Sequence, residues 1–164
     1  MSGMCAGELD VVDTGRQQRG SVGSEGVVVG DLAFRLSLPR TTTAARDARH
    51  DLGSWMPERC GPSVAETAML LADELVANVV VHTRSTDLDV RASCDGVRLR
   101  VCVDDETPAS PVPMRDGPEP PAGAGRGLWL VEALAASWGC EQLPSGKRIW
   151  FELPCAGGPG SAQG

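Results

Sequence analysis

Aromatic residues are scarce: they make up 4% of the 164 residues, and tyrosine is absent. Hydrophobic residues still reach 41%, so a core can form, but Leu, Val and Ala must fill most of it. Long apolar runs are missing too. None approaches the ~20 residues that a bilayer span needs. The N-terminal stretch is rich in Gly, Ser and Asp and lacks the apolar centre of a secretory signal, so a cytoplasmic protein with no membrane contact is expected. Basic residues are outnumbered, with Lys plus Arg at 15 against 22 Asp plus Glu, a net charge of −7. A surface that acidic argues against direct nucleic-acid binding as the main task. Six cysteines occur (Cys5, Cys60, Cys94, Cys102, Cys140 and Cys155). None forms a CxxC, and no His lies near enough to complete a zinc pattern, so reduced, mostly buried thiols are expected. No internal repeat is visible.

What is present alternates between strand and helix signals. Residues 1–28 and 155–164 mix Gly, Ser and charge without periodicity and are expected to be disordered tails, leaving one domain over 29–154. Residues 31–38 alternate apolar Leu32, Phe34, Leu36 and Leu38 with polar neighbours, the period of a half-buried strand. Pro39 ends it, and Thr41, Thr42 and Thr43 offer caps for a helix. Ala45, Ala48, Leu52 and Trp55 follow at helical spacing until Gly53 and Pro57. Ser63-Val64-Ala65-Glu66 reads as a capping box opening a helix to about His82. Residues 87–93 and 97–103 are strands joined by the turn Cys94-Asp95-Gly96. Between Glu106 and Gly125 stand Pro108, Pro111, Pro113, Pro118, Pro120 and Pro121, so a long loop is expected, of the kind that often serves as a lid. Residues 128–136 form a helix, and 149–153 a last strand entered through Ser145-Gly146. The sum is an α+β fold, a two-layer α/β sandwich with a mixed, mostly antiparallel sheet.

Three pieces could carry chemistry. In MLLADELVANVVV, residues 69–81, only Asp73, Glu74 and Asn78 are polar. A helix apolar nearly all round is expected to be buried. Glu74 and Asn78 lie one turn apart on one stripe, which His82 continues. That stripe either faces water or meets a partner, because burying it alone would cost several kcal/mol. Next, Val101, Val103 and Asp105 point to one side of a strand. Asp105 then directs its carboxylate where the strand leaves the core; the alternative is a plain turn-starting acid. Last, Gly123, Gly125 and Gly127 enter a helix directly, and free N–H groups at a helix start suit phosphate. No GK[ST] follows, so this is no Walker loop, and no strand precedes it, so it is no dinucleotide fingerprint.

The order of these pieces resembles the Bergerat ATPases, the histidine-kinase-like family. The finer resemblance is to small single-domain anti-sigma factor kinases, carried by ADELVANVVVHT, VDDETP, GRGLWLVEALAASWG and GKRIWFELP over roughly residues 31–154. That resemblance implies ATP and Mg2+ as cofactors. It implies Asn78 as the metal ligand, Glu74 as the general base and Asp105 as the acceptor for the adenine amino group. Gly123, Gly125, Arg126, Gly127 and Leu128 would surround the phosphates, and His82 and Thr83 would line the pocket edge. Asp104 is expected to point the other way. Two departures stand out: Asp105 is followed by Glu106-Thr107-Pro108 rather than D-x-G-x-G, and Arg148 stands where many relatives have Thr, which puts the pocket edge in question.

Two functions follow from the resemblance. One is a serine/threonine kinase that phosphorylates an anti-anti-sigma partner and sequesters a sigma factor. The other is a non-catalytic, ATP-gated interaction module. A histidine-kinase fragment is disfavoured: His50 lies in an acceptor-like stretch, but no second long helix precedes the Glu74 helix to complete a hairpin. A homodimer is expected, with the first strand as an edge for pairing.

Overall fold

The computed structural model describes residues 27–28, 33–108 and 126–155. Its elements run β1 (Val27–Val28), β2 (Ala33–Pro39), α1 (Ala44–Trp55), α2 (Pro57–Cys60), α3 (Pro62–His82), β3 (Asp87–Cys94), β4 (Arg98–Asp105), α4 (Arg126–Leu134), β5 (Ser137–Leu143) and β6 (Gly146–Pro154). The strands form one sheet in the order β1-β2-β3-β4-β6-β5. Every pairing among them is antiparallel. Helices α1, α3 and α4 pack side by side on one face, and no helix of the described residues covers the other, here called the open face, giving the expected two-layer α+β sandwich.

Strand periodicity explains the core. Phe34, Leu36 and Leu38 are buried on β2 while Arg35 and Ser37 are exposed. They meet Ala44, Ala48, Leu52 and Trp55, one face of α1, and Ala65, Ala68, Leu71, Ala72, Leu75, Val76 and Val79 of α3. Each fully buried Leu or Val contributes roughly 1.5–3 kcal/mol over leaving it in water. Small Ala residues at the α1–α3 contact let Leu and Val do the filling that the missing rings would otherwise do.

Several expectations are corrected. Ser63 does not cap α3: the helix begins at Pro62, with Gly61 at the cap position (φ 86°) and no side-chain cap hydrogen bond. Proline is pre-set for the first helical position, which moves the start one residue ahead of the Ser. Thr43 does stand at the cap of α1, but its hydroxyl donates to the Asp47 carboxylate at 3.1 Å and accepts no capping bond from a backbone N–H. Gly53 lies inside α1 rather than ending it. α3 is not buried all round, since Leu70 and Val81 are 43% and 71% exposed. Strand β5 was not expected as an element. Its residues are half-buried on both sides, so no period-2 signal marks it. Val27–Val28 pairs with Phe34 and Arg35, so the expected N-terminal tail through residue 28 gives its last two residues to the sheet. Residues 1–26, 29–32, 109–125 and 156–164, which hold most of both tails, the start of the expected strand 31–38 (Asp31 and Leu32) and most of the expected lid, lie outside the described residues.

Five cysteines, Cys60, Cys94, Cys102, Cys140 and Cys155, are free and buried or half-buried. Burial, with neighbouring thiols, pushes Cys60 up to about 11 and Cys155 up to about 12, so these thiols are neutral near pH 7. No helix of the described residues is long and apolar enough to cross a membrane.

Candidate functional site

Glu74 and Asn78 sit half-buried on α3, on the side that α4 covers. Gly127, buried in the first turn of α4, is the contact. A methyl group there would lie 3.0 Å from Asn78 Nδ2 and 3.2 Å from both Cβ and Oε2 of Glu74. A bare backbone therefore presses on the amide and the carboxylate where a side chain would force them aside. In the first turn of a helix the N–H groups lack intrahelical partners. The structure thus brings two of the three sequence pieces together: the α3 stripe and the glycine-led start of α4. Leu128 is half-buried and packs on the core. Gly123 and Gly125 lie outside the described residues, as does the side chain of Arg126.

Asp105 ends β4 on the helix side. Leu99, Val101 and Val103, of the same parity, are 0–2% exposed, and the Asp105 side chain is 1% exposed. Burial of a carboxylate demands partners, and three are present. Thr107 N–H donates to Oδ1 at 2.7 Å, the Ser85 hydroxyl donates to Oδ1 at 3.5 Å, and Lys147 Nζ stands 3.3 Å from Oδ2. Ser85 Oγ in turn accepts from the Glu106 N–H at 2.9 Å. Glu106 accepts from Thr86 N–H at 3.0 Å, so the Glu106-Thr107 turn is fastened to the segment after α3. That segment is held by Arg40, whose Nε and Nη1 donate to the carbonyls of Ser85 and Val80. Thr83 caps the C-terminal end of α3, donating from Oγ1 to Val79 O at 2.8 Å. His82 is exposed at the same end.

Asp104 faces the open side. Arg148 grips both of its oxygens, Nε to Oδ1 at 2.7 Å and Nη2 to Oδ2 at 2.8 Å, and Arg91 Nε lies 3.6 Å away. The Asp104 carboxylate holds the Arg148 guanidinium protonated even more firmly than usual. Arg148, the departure that put the pocket edge in question, is thus engaged by Asp104. Antiparallel register sets Arg148 opposite Asp104 and Lys147 opposite Asp105, so Lys147 is the residue beside the buried acid. Gly146 makes that possible, because at φ 156° a Cβ would fall 1.8 Å from the Asp105 carbonyl oxygen. A cleft of about 320 Å³ lies at this end of the sheet, lined in part by Asp89, Arg91, Asp104, Asp105, Glu106 and Arg148; Glu74, Asn78 and Gly127 take no part in it.

Sequence reading missed Ser85, Thr107, Arg40 and Lys147. Only strand register could have found Lys147. The other three act through turns that carry no periodic signal.

Residues 38–153 match the family described as histidine kinase-like ATPase domain. A search of curated proteins found no match. Among solved structures the chain is similar to the RsbU and RsbW domains of Rv1364c from Mycobacterium tuberculosis. The TM-score is 0.55 and the identity 24%, over 73% of this chain and 31% of that one. At that identity the likeness shows the fold, and the chain spans a minor part of that protein's length.

Proposed function

The chain belongs to the histidine kinase-like ATPase domain family, and from that premise we propose that it binds Mg2+-ATP, phosphorylates a Ser or Thr of an anti-anti-sigma partner, and sequesters a sigma factor when that partner is unavailable. The observation that carries the reading is the contact of Gly127 with Glu74 and Asn78. It brings the start of α4 against an amide and a carboxylate, which supports a phosphate site there.

The residues present fit the metal. Mg2+ on a triphosphate keeps waters and takes only one or two protein ligands, and the half-buried Asn78 amide oxygen suits that role. No group of three metal-ligating side chains occurs among the described residues. When bound, the ion neutralises phosphate charge. Backbone N–H groups at Gly127 and Leu128, preceded by Gly123, Gly125 and Arg126, receive the phosphate oxygens. Asp105 accepts from the adenine amino group, with His82 and Thr83 at the rim. Glu74 takes the proton of the attacking hydroxyl as its oxygen bonds to the γ-phosphorus. The bond from that phosphorus to the β–γ bridging oxygen breaks, and ADP leaves.

The test is Glu74→Gln, assayed with labelled ATP and a candidate antagonist protein. A positioned base contributes ~10²–10⁴-fold to rate and little to ground-state binding. The variant is expected to bind ATP and partner as the native chain does, and to transfer phosphate at least ~100-fold more slowly. A native chain that transfers nothing and matches the variant in ATP binding and in ATP-dependent partner capture is the non-catalytic module instead.

Cytoplasmic location and self-association belong to the same proposal. β1 reaches only Phe34 and Arg35 of β2, so Leu36–Pro39 keeps an outer edge that no described strand covers. A two-fold pairing there would seal it. A dimer mass by light scattering at tens of micromolar is expected, and a monomer mass contradicts it.

A further inference from the structure

We infer that Lys147 reads the base itself, donating from its ammonium to N1 of adenine while Asp105 accepts from the neighbouring 6-amino group. The inference rests on the nucleotide reading above and deepens it, because it names the atoms that select the base.

Lys147 is the only lysine in the chain; the other 14 of the 15 basic Lys and Arg residues are arginine. Every other cation paired with a carboxylate in the described structure is an arginine, on Asp47, Asp73, Asp89, Asp104, Glu141 or Glu152. The one lysine faces the one carboxylate that is 1% exposed, and is itself 16% exposed. The two cations of β6 treat their acids differently. The planar fork of Arg148 occupies both oxygens of Asp104. The compact ammonium of Lys147 touches only Oδ2 of Asp105, at 3.3 Å, while Oδ1 is held by Thr107 N–H and the Ser85 hydroxyl. Oδ2 therefore keeps lone-pair capacity. The ammonium has three hydrogens that can rotate about its stem, and Asp105 takes one of them.

The result is an acceptor and a donor side by side, both shielded from water. The pyrimidine edge of adenine carries the complement in the same order, an amino donor next to the N1 acceptor. An arginine in place of Lys147 would close on both carboxylate oxygens and leave no acceptor for the amino group. Hypoxanthine, with an oxygen at C6 and a hydrogen on N1, presents the pattern inverted and would have to shift to be read.

The test is calorimetric titration of the native chain with Mg2+-ADP and with its 1-deaza analogue, in which C–H replaces N1. The native chain is expected to bind the analogue about tenfold or more weakly, the loss of one hydrogen bond to a charged group. Lys147→Met is expected to bind both ligands equally and more weakly than native binds ADP. Lys147→Arg, which keeps the charge beside Asp105 and so the fold, is expected to lose the discrimination too. Equal affinity of the native chain for both ligands, or discrimination that persists in Lys147→Arg, overturns the inference while leaving nucleotide binding intact. A native chain that binds neither ligand overturns the nucleotide reading and this inference together.

Discussion

Leu99, Val101 and Val103 lead along the covered side of β4 to Asp105; on the open side of the same strand Arg98, Arg100 and Cys102 lead to Asp104. The two acids are chain neighbours, equally hidden by overall exposure at 5% and 8%, and each meets a cation from β6. They differ in how far the cation satisfies them. Arg148 saturates Asp104 with two short bonds inside a lattice of exposed ion pairs, which suits holding the sheet. Asp105 ends an apolar stripe beneath the helices and keeps one oxygen only lightly engaged, which suits receiving a ligand. Strand parity sends the two acids to opposite faces, and the pair tests the division of roles proposed for them.

The sharpest way to break the division is to neutralise each acid in turn. Asp105→Asn removes a charged acceptor, worth about 1.5–3 kcal/mol, or roughly 10–100-fold in nucleotide affinity. Asp104→Asn is expected to leave affinity within about twofold, and to cost about 1–2 kcal/mol of stability because it strands part of a half-buried Arg pair. Calorimetry with Mg2+-ADP and denaturant unfolding on both variants would check this. The reverse outcome, with affinity lost in Asp104→Asn, assigns the ligand to the Asp104 side of the strand.

A second contrast lies within the covered face. Gly127→Ala places a methyl 3.0 Å from Asn78 Nδ2 and 3.2 Å from Glu74 Oε2. Overpacking of this kind costs about 1–3 kcal/mol, offset by about 1 kcal/mol of helix propensity gained over Gly. Stability is therefore expected to change little, while nucleotide affinity falls about tenfold, as the displaced amide and carboxylate no longer face the helix start. Unchanged affinity would mean that α4 does not present its N-terminus to the ligand.

Legibility in the sequence follows the same divide. Where a segment has one apolar and one polar side, its period identifies it. β2, α1 and the β3–β4 hairpin were all readable, and the parity of Val101, Val103 and Asp105 separated Asp105 from Asp104. β5 has no such contrast, because Trp138, Gly139, Cys140 and Glu141 are all half-buried. The start of α3 misled because a Pro before Ser63 outcompetes a side-chain cap. Lys147 was invisible because its meaning lies in register: nothing local says that it, and not Arg148, falls opposite Asp105. The partners Ser85 and Thr107 come from turns whose hydrogen bonds exist only once β4 and α3 are docked. The family motifs marked Glu74, Asn78 and Gly127, and the packing of α4 on α3 shows why those three belong together.

The smallest expected effect concerns the open face alone. Burial tends to raise the Asp89 carboxyl, but the Ser37 hydroxyl and the Arg35 and Arg91 guanidinium groups outweigh it and leave it below its usual value. Glu152 behaves alike: burial pushes up, while Ser137, Arg100 and Arg98 pull it lower. Both groups release their protons more readily folded than unfolded, so the unfolded chain binds more protons as the medium turns acid. Their contribution is fully present above the ordinary carboxylate range of about 4 and drains away as pH falls through the lower folded values. The partners Arg35 and Arg98 are 50% and 60% exposed, so solvent screening keeps each pair to about 0–1 kcal/mol. Urea midpoints are expected to hold steady from neutral pH to about 5 and to decline below about 4, less steeply at about 1 M salt. The double variant Asp89→Asn with Glu152→Gln is expected to start less stable and to flatten that decline. An identical slope in the double variant would place the acid sensitivity on other groups and would undo the assignment of Asp89 and Glu152 to the charge lattice that holds the sheet.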